Sequence, residues 1–302
     1  MAIQLSGIHF LLTYTCTYEC DHCFVWGGPF QEGRLTLDQI DEILTQAAEL
    51  RTVEWIYFEG GEPFLYQPVL LRAVETAAGA GFRVGLVSNA YWATEVRDAV
   101  EWLRPMAGLV QDLSISSDLF HHDDEMDRTV CNAVEAAEQL GIPVGAISIA
   151  QPADADAETA VGQLPIGESA VQFRGRAAEK LVDGVSLRPW EGFTECPNED
   201  FRDPGRVHLD PLGNVHICQG ISIGNVFTST LKSICKAYDP DEHPVIGPLL
   251  AGGPAKLVRR YDLPHDLAYA DACHLCYEAR RSLRDRFPDV LTPDQMYGST
   301  DH

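Results

Sequence analysis

A chain of 302 residues, 45% of them apolar, is long enough to bury one large α/β core or a core with an appendage. Its 22 Lys and Arg face 45 Asp and Glu, a net charge of −23 that repels polyphosphate backbones and argues against nucleic acid as a partner. No apolar run approaches the roughly 18 residues of a membrane span. No basic-then-apolar leader opens the chain, and its nine cysteines cluster at short spacings, so the expectation is a cytoplasmic, metal-ligating protein with no membrane partner.

In chain order, residues 8–12 read as a strand leading into Cys16-Thr17-Tyr18-Glu19-Cys20-Asp21-His22-Cys23, after which Gly27, Gly28 and Pro29 break the chain. Thr36 is placed to cap a helix in which Leu37, Ile40, Ile43, Leu44, Ala47 and Leu50 recur at helical spacing. A strand over 53–58 runs into Glu59-Gly60-Gly61-Glu62-Pro63, and a helix follows from about 69 to 80. The strand over 82–87 ends in Ser88-Asn89. A helix over 94–103, a strand over 108–115, a helix over 128–140 and a strand over 142–149 come next. Such alternation predicts right-handed βαβ units and a parallel sheet. Residues 151–170, rich in Ala, Asp, Gln and Pro, read as a connection or insertion, and a last core strand is expected near 185–188. From Thr194 the chain is loop-rich, with strands over 207–209 and 214–217 flanking a turn at Asp210-Pro211-Leu212-Gly213.

Chemistry in a parallel sheet sits at the C-terminal strand ends. The cysteine loop, Gly60-Gly61-Glu62-Pro63, Ser88-Asn89 and 114–118 all fall there, on one rim. Three thiolates as close as Cys16, Cys20 and Cys23 suit an iron–sulfur cluster, and three leave one iron of a four-iron cluster open to a substrate or cofactor. Two adjacent glycines let the backbone approach a ligand, while Glu62 and nearby carbonyls accept hydrogen bonds; a tight turn would use the same residues. Ser88, Asn89, Ser116 and Asp118 offer groups for a polar ligand or for helix caps. Arg174 can fork onto a carboxylate or form a structural ion pair. His121, His122, Asp123 and Asp124 read as a polar helix start before a metal site.

A second thiol set, Cys196, Cys218, Cys273 and Cys276, would fully ligate one cluster or one zinc ion. Cys131 and Cys235 lie among apolar neighbours at helical spacing and read as structural thiols, with hydrogen-atom donation as the sharper alternative.

The Cys16, Cys20, Cys23 spacing, with His22 before the last cysteine, resembles the signature of the radical S-adenosylmethionine (radical SAM) superfamily. The resemblance implies a partial (β/α)6 TIM-type barrel, an α/β fold, with a [4Fe–4S] cluster on those thiols. Its open iron chelates the amino and carboxylate groups of S-adenosylmethionine and supplies the electron that cleaves it to a 5′-deoxyadenosyl radical. It implies that Gly60, Gly61, Glu62 and Pro63 hold the methionine amino group, and that His22, Ser88, Asn89, Ser116, Asp118 and Arg174 complete the cofactor site.

The later cysteines, with Gly213 before Cys218, resemble the auxiliary-cluster extensions called SPASM or twitch domains. Expected boundaries are therefore a barrel core over 1–190 and an auxiliary [4Fe–4S] domain over 191–302, serving electron relay or potential tuning. The motif arrangement, including the segment Ser88-Asn89-Ala90-Tyr91-Trp92, is similar to that of peptide-modifying epipeptide epimerases. In those enzymes a cysteine directly after the auxiliary ligand returns a hydrogen atom. Here that position is Gln219, which leaves Cys235 or Cys131 as donor, or a cross-link or oxidation that needs none. The resemblance thus implies a radical SAM enzyme acting on a ribosomally made peptide, with an external electron donor such as flavodoxin or ferredoxin and a separate peptide-presenting protein as possible partners. A small metabolite as substrate, or a non-catalytic iron–sulfur redox protein, are the other two readings.

Overall fold

The computed structural model describes residues 3–121, 128–152 and 167–299. Residues 153–166 of the connection or insertion expected over 151–170, and His122, Asp123 and Asp124, lie outside the described residues. The first half is a run of β/α units: β1 (Leu5–Thr13), α1 (Leu37–Leu50), β2 (Trp55–Gly60), α2 (Gln67–Gly79), β3 (Arg83–Ser88), α3 (Val96–Leu103), β4 (Asp112–Ser116), α4 (Arg128–Gln139), β5 (Val144–Ile149) and β6 (Gly167–Ser169). The six strands pair parallel with their chain neighbours. Helix α1 starts where the sequence places it: Thr36 and Gln39 form a reciprocal capping box, and Arg51 closes the helix in a left-handed conformation.

The second half holds α5 (Ala177–Lys180), β7 (Arg188–Pro189), β8 (Gly205–Leu209), β9 (Asn214–Cys218), β10 (Ile221–Asn225), α6 (Leu231–Ala237), α7 (Ile246–Tyr261, two pieces joined at Gly252 and Gly253), β11 (Ala268–Tyr269) and α8 (Ala272–Leu283). One expectation is corrected here. The sixth core strand is Gly167–Ser169, whereas Arg188–Pro189 pairs with Ala268–Tyr269 in a small separate sheet. Leu187, 52% exposed, shows why: the 185–188 segment has no buried face to contribute to a core. Strand β8 adds parallel to the free edge of β1, giving one open nine-stranded sheet in the order β10-β9-β8-β1-β2-β3-β4-β5-β6.

Period-two alternation sorts each strand's side chains. Ile8, Phe10 and Leu12 of β1, Ile56 and Phe58 of β2, Val84 and Leu86 of β3 and Val207 and Leu209 of β8 are buried against the helices. Each such side chain contributes about 1.5–3 kcal/mol on burial. The alternate residues, among them His9, Glu59, Val87, Ser116 and His208, line a cavity of about 280 Å³ on the other side of the sheet. A second core joins Leu11, Tyr14 and Val25 to Phe201, Ile217, Leu249, Leu275 and Tyr297, so both halves of the chain meet over this cavity. No helix among the described residues is long and apolar enough to cross a membrane.

Candidate active site

Cys16, Cys20 and Cys23 follow β1 directly and open together onto the cavity, together with Gly60, Gly61, Ser88, Asn89 and Ser116. The loop that carries them is held by backbone bonds from Cys16 N to Gly28 O (3.0 Å) and from Cys23 N to Cys20 O (3.0 Å). Two further groups seat it. Arg176, buried, donates to Cys20 O (2.7 Å) and Gly27 O (2.8 Å) and lies over the Trp26 ring. Gly175, at φ +60°, lets its segment press against the loop, for a Cβ there would stand 2.6 Å from Cys23 O.

The same logic explains Gly61. Gly61 N donates to Thr13 O and Glu62 N to Thr15 O (2.9 Å), and a Cβ on Gly61 would meet Thr15 O at 2.1 Å. The two glycines thus allow one strand end to lie against the cysteine loop, with Gly60 and Gly61 on the cavity. Glu62 and Pro63 sit behind it, buried. The Glu62 carboxylate takes bonds from Phe64 N (3.0 Å), Ser88 Oγ (3.0 Å) and Asn89 N (2.8 Å). Burial raises its pKa to about 7, with those donors opposing the rise. Its carboxylate therefore organises the Ser88-Asn89 loop in place of the expected direct contact with a ligand. Asn89 reaches the other way, from Nδ2 to Cys16 Sγ (3.5 Å) and Thr17 Oγ1 (3.0 Å), and Trp92 Nε1 donates to Ser88 Oγ (2.9 Å).

Asp118 lines the cavity, bonded to His121 Nδ1 (2.7 Å) and accepting from Ile149 N (3.3 Å), so it ties the ends of β4 and β5 together. His22 packs against Phe120 (4.5 Å between ring centroids) and His121. Burial lowers its pKa to about 4, and among the described residues its buried Nδ1 has no hydrogen-bond partner.

The thiols fit a cluster. None of the nine cysteines is in a disulfide. Sγ of Cys16 and Cys23 accept N–H donors from Tyr18 (3.5 Å) and Gly27 (3.2 Å), as metal thiolates do. Burial pushes Cys16 up to about 12 and raises Cys20 as well, which favours the protonated form of these two thiols until a cationic centre displaces the protons.

Cys196, Cys218 (the end of β9), Cys273 and Cys276 (both in the first turns of α8) line one small enclosed pocket. Asn198 Nδ2 donates to Cys273 Sγ (3.1 Å) and Arg174 Nη1 to Cys218 Sγ (3.5 Å). Burial raises Cys196 to about 12. Arg280, fully buried, closes the far side. Arg174, expected at the cofactor carboxylate, borders both cavities and pairs with Glu199 (3.4 Å). Cys235 is not brought to either. Its buried thiol belongs to the helix-side core that also holds Leu231, Ile234 and Val207, and Cys131 is exposed on α4. Gln219 is buried, donating to Met296 O (2.6 Å), and lines neither cavity.

Sequence reasoning missed Arg176 and the inward-facing His9, Glu59 and His208. The signal for the last three was available: each is a polar residue two or fewer positions from apolar core residues, on the alternate face of its strand.

The radical SAM superfamily model matches residues 10–158. The chain is 30% identical over 121 residues to the putative peptide biosynthesis protein YydG of Bacillus subtilis (strain 168), a stretch that is 40% of this chain and 38% of that protein. The chain thus spans under two fifths of that curated relative's length. Among solved structures the fold is similar to BtrN in complex with AdoMet and 2-DOIA (TM-score 0.54, 15% identity, 92% of this chain and 93% of that one). It is also similar to hexahistidine-tagged anSMEcpe with bound AdoMet (TM-score 0.52, 12% identity, 98% of each chain). Residues 10–158 of this chain are therefore a radical SAM superfamily domain, a family that implies a [4Fe–4S] cluster and S-adenosylmethionine.

Proposed function

We propose that the chain is a peptide-modifying radical SAM enzyme that abstracts a hydrogen atom from a ribosomally made peptide. The observation that carries it is the convergence of Cys16, Cys20 and Cys23 with Gly60, Gly61, Ser88 and Asn89 on one cavity. When bound, a cluster on these thiols supplies the electron that cleaves S-adenosylmethionine to a 5′-deoxyadenosyl radical. The protein's part is positional. Gly60 and Gly61 offer backbone carbonyls to the cofactor's ammonium group, and Glu62 fixes the Ser88-Asn89 loop from behind. His22, whose Nδ1 has no partner among the described residues, stands ready for a heteroatom of the cofactor. The likeness to a relative named for peptide biosynthesis supports a peptide substrate.

Residues 191–302 serve as an auxiliary domain in this reading, their four thiols holding a second [4Fe–4S] cluster. Such a cluster on four thiolates carries a net charge near −2, which half-buried Arg174 and buried Arg280 would offset. A tetrathiolate zinc site has the same charge, so metal analysis separates the two. Arg174, at the wall between the cavities, supports a role in electron transfer between the two centres. With Gln219 turned away and Cys235 outside the cavity, no thiol beyond the two clusters' ligands is offered to a substrate radical among the described residues. Oxidation or cross-linking therefore fits better than epimerization.

A small polar metabolite is the second reading, favoured by the polar cavity floor at His9, Glu59 and His208. The reconstituted, reduced protein, given S-adenosylmethionine and separate peptide and metabolite fractions of host extract, tests both. Peptide-stimulated 5′-deoxyadenosine release is expected. Stimulation by metabolites alone would replace the first reading with the second, and absence of cleavage with intact clusters would overturn both.

A further inference from the structure

We infer that His9, Glu59 and His208 form a binding site for one divalent transition-metal ion on the floor of the cavity, distinct from both thiol sets. The three come from adjacent strands. His9 of β1 lies opposite His208 of β8, and Glu59 of β2 lies opposite Leu11, one inward position further along β1. Parallel neighbours at about 4.8 Å therefore converge three inward side chains on one point. Their ligand atoms all lie within 4.8 Å of one another, with Glu59 Oε1 3.2 Å from His9 Nδ1 and 3.1 Å from His208 Nε2. Metal–ligand bonds of about 2.1 Å put neighbouring ligand atoms about 3.0 Å apart in an octahedral sphere, which these separations match. Two imidazoles and one carboxylate on one face, with the remaining positions open, is the donor set of first-row divalent ions such as iron(II), manganese(II), cobalt(II) or zinc(II).

Charge points the same way. Glu59 is buried, and among the described residues its ion-pair partners are the two imidazoles alone, which are cationic only when protonated. With imidazoles as its partners, this buried carboxylate lacks a permanent counter-charge, a costly arrangement that a divalent ion would resolve. The rings are also fixed in place. His9 stacks on Tyr57 (centroids 4.6 Å apart, 21° between planes), whose hydroxyl donates to Asp112 Oδ2 (2.8 Å), and Phe24 meets His208 edge-on. All three ligands open onto the cavity, so the ion has an entry path and its open positions face the substrate space.

The test uses the cluster-loaded protein, whose iron is not the ion added. It is equilibrated in turn with manganese(II), cobalt(II) and zinc(II), desalted and analysed for metal. About one equivalent of at least one ion is expected, bound at least tenfold more weakly in Glu59→Gln and His208→Asn at unchanged iron content. No retained ion, or equal retention in both variants, overturns the site. Should a variant lose its iron, pulsed EPR of manganese(II) or cobalt(II) on the unaltered protein decides: nitrogen coupling from imidazoles supports the site, and its absence refutes it.

Discussion

Glu62 is a carboxylate held by three donors in a place water does not reach, and its chemistry is set by that burial. Its folded pKa, about 7, lies above the ordinary 4.5. The group therefore favours the fold most below pH 4.5, and that contribution is lost as pH rises toward 7. The difference amounts to roughly 3 kcal/mol. Thermal melts of cluster-loaded protein without S-adenosylmethionine should show stability falling between pH 4.5 and 7, and Glu62→Gln should flatten that slope. An unchanged slope in the variant would assign the effect elsewhere. The thiols give a sharper outcome. Alanine at Cys16, Cys20 or Cys23 should abolish 5′-deoxyadenosine formation, read by chromatography after reduction. Cys235→Ala should leave that formation intact and cost about 1 kcal/mol or more, as loss of a buried side chain does.

At the scale of elements, the cysteine loop owes its shape to a segment about 150 residues later in the chain. Arg176 reaches two of its carbonyls, and Gly175 allows the close approach. Arg176→Ala should destabilise the protein by about 2–4 kcal/mol, since it removes charge-assisted hydrogen bonds from buried acceptors. Iron at the first cluster should fall with it, while Arg176→Lys should recover part of the loss. Full iron retention in the alanine variant would show that the loop stands by itself. The local elements were legible in the sequence because capping, glycine and period-two signals are local: Thr36 with Gln39, Gly60 with Gly61, and the apolar alternation of β1. The clamp was not, since nothing in Phe173-Arg174-Gly175-Arg176-Ala177 says which arginine faces the loop and which faces the second thiol pocket. The last core strand was misplaced for a related reason. Residues 185–188 have strand-like composition, yet only three residues, Gly167–Ser169, complete the parallel series.

For the whole molecule, the two thiol sets are expected to respond separately. Serine at both Cys273 and Cys276 should remove about four irons per chain while uncoupled cleavage of S-adenosylmethionine persists. Zinc in the unaltered protein at that position, with one cluster's iron, would replace the second cluster. The motifs announced both thiol sets, whereas the joint between them rests on long-range strand pairing that no local pattern encodes.

That joint has a practical consequence. Because Gly205–Leu209 covers the edge of Leu5–Thr13, cutting the chain after residue 190 would strip the first strand of its neighbour. A row of unpaired amides would then be bared beside the reactive loop, a template for sticking to other molecules. Such a fragment should sediment as aggregate on expression, and recovery of it as a monodisperse species would show that the edge is harmless. The second half of the chain thus acts as a built-in guard against self-association as well as a holder of thiols.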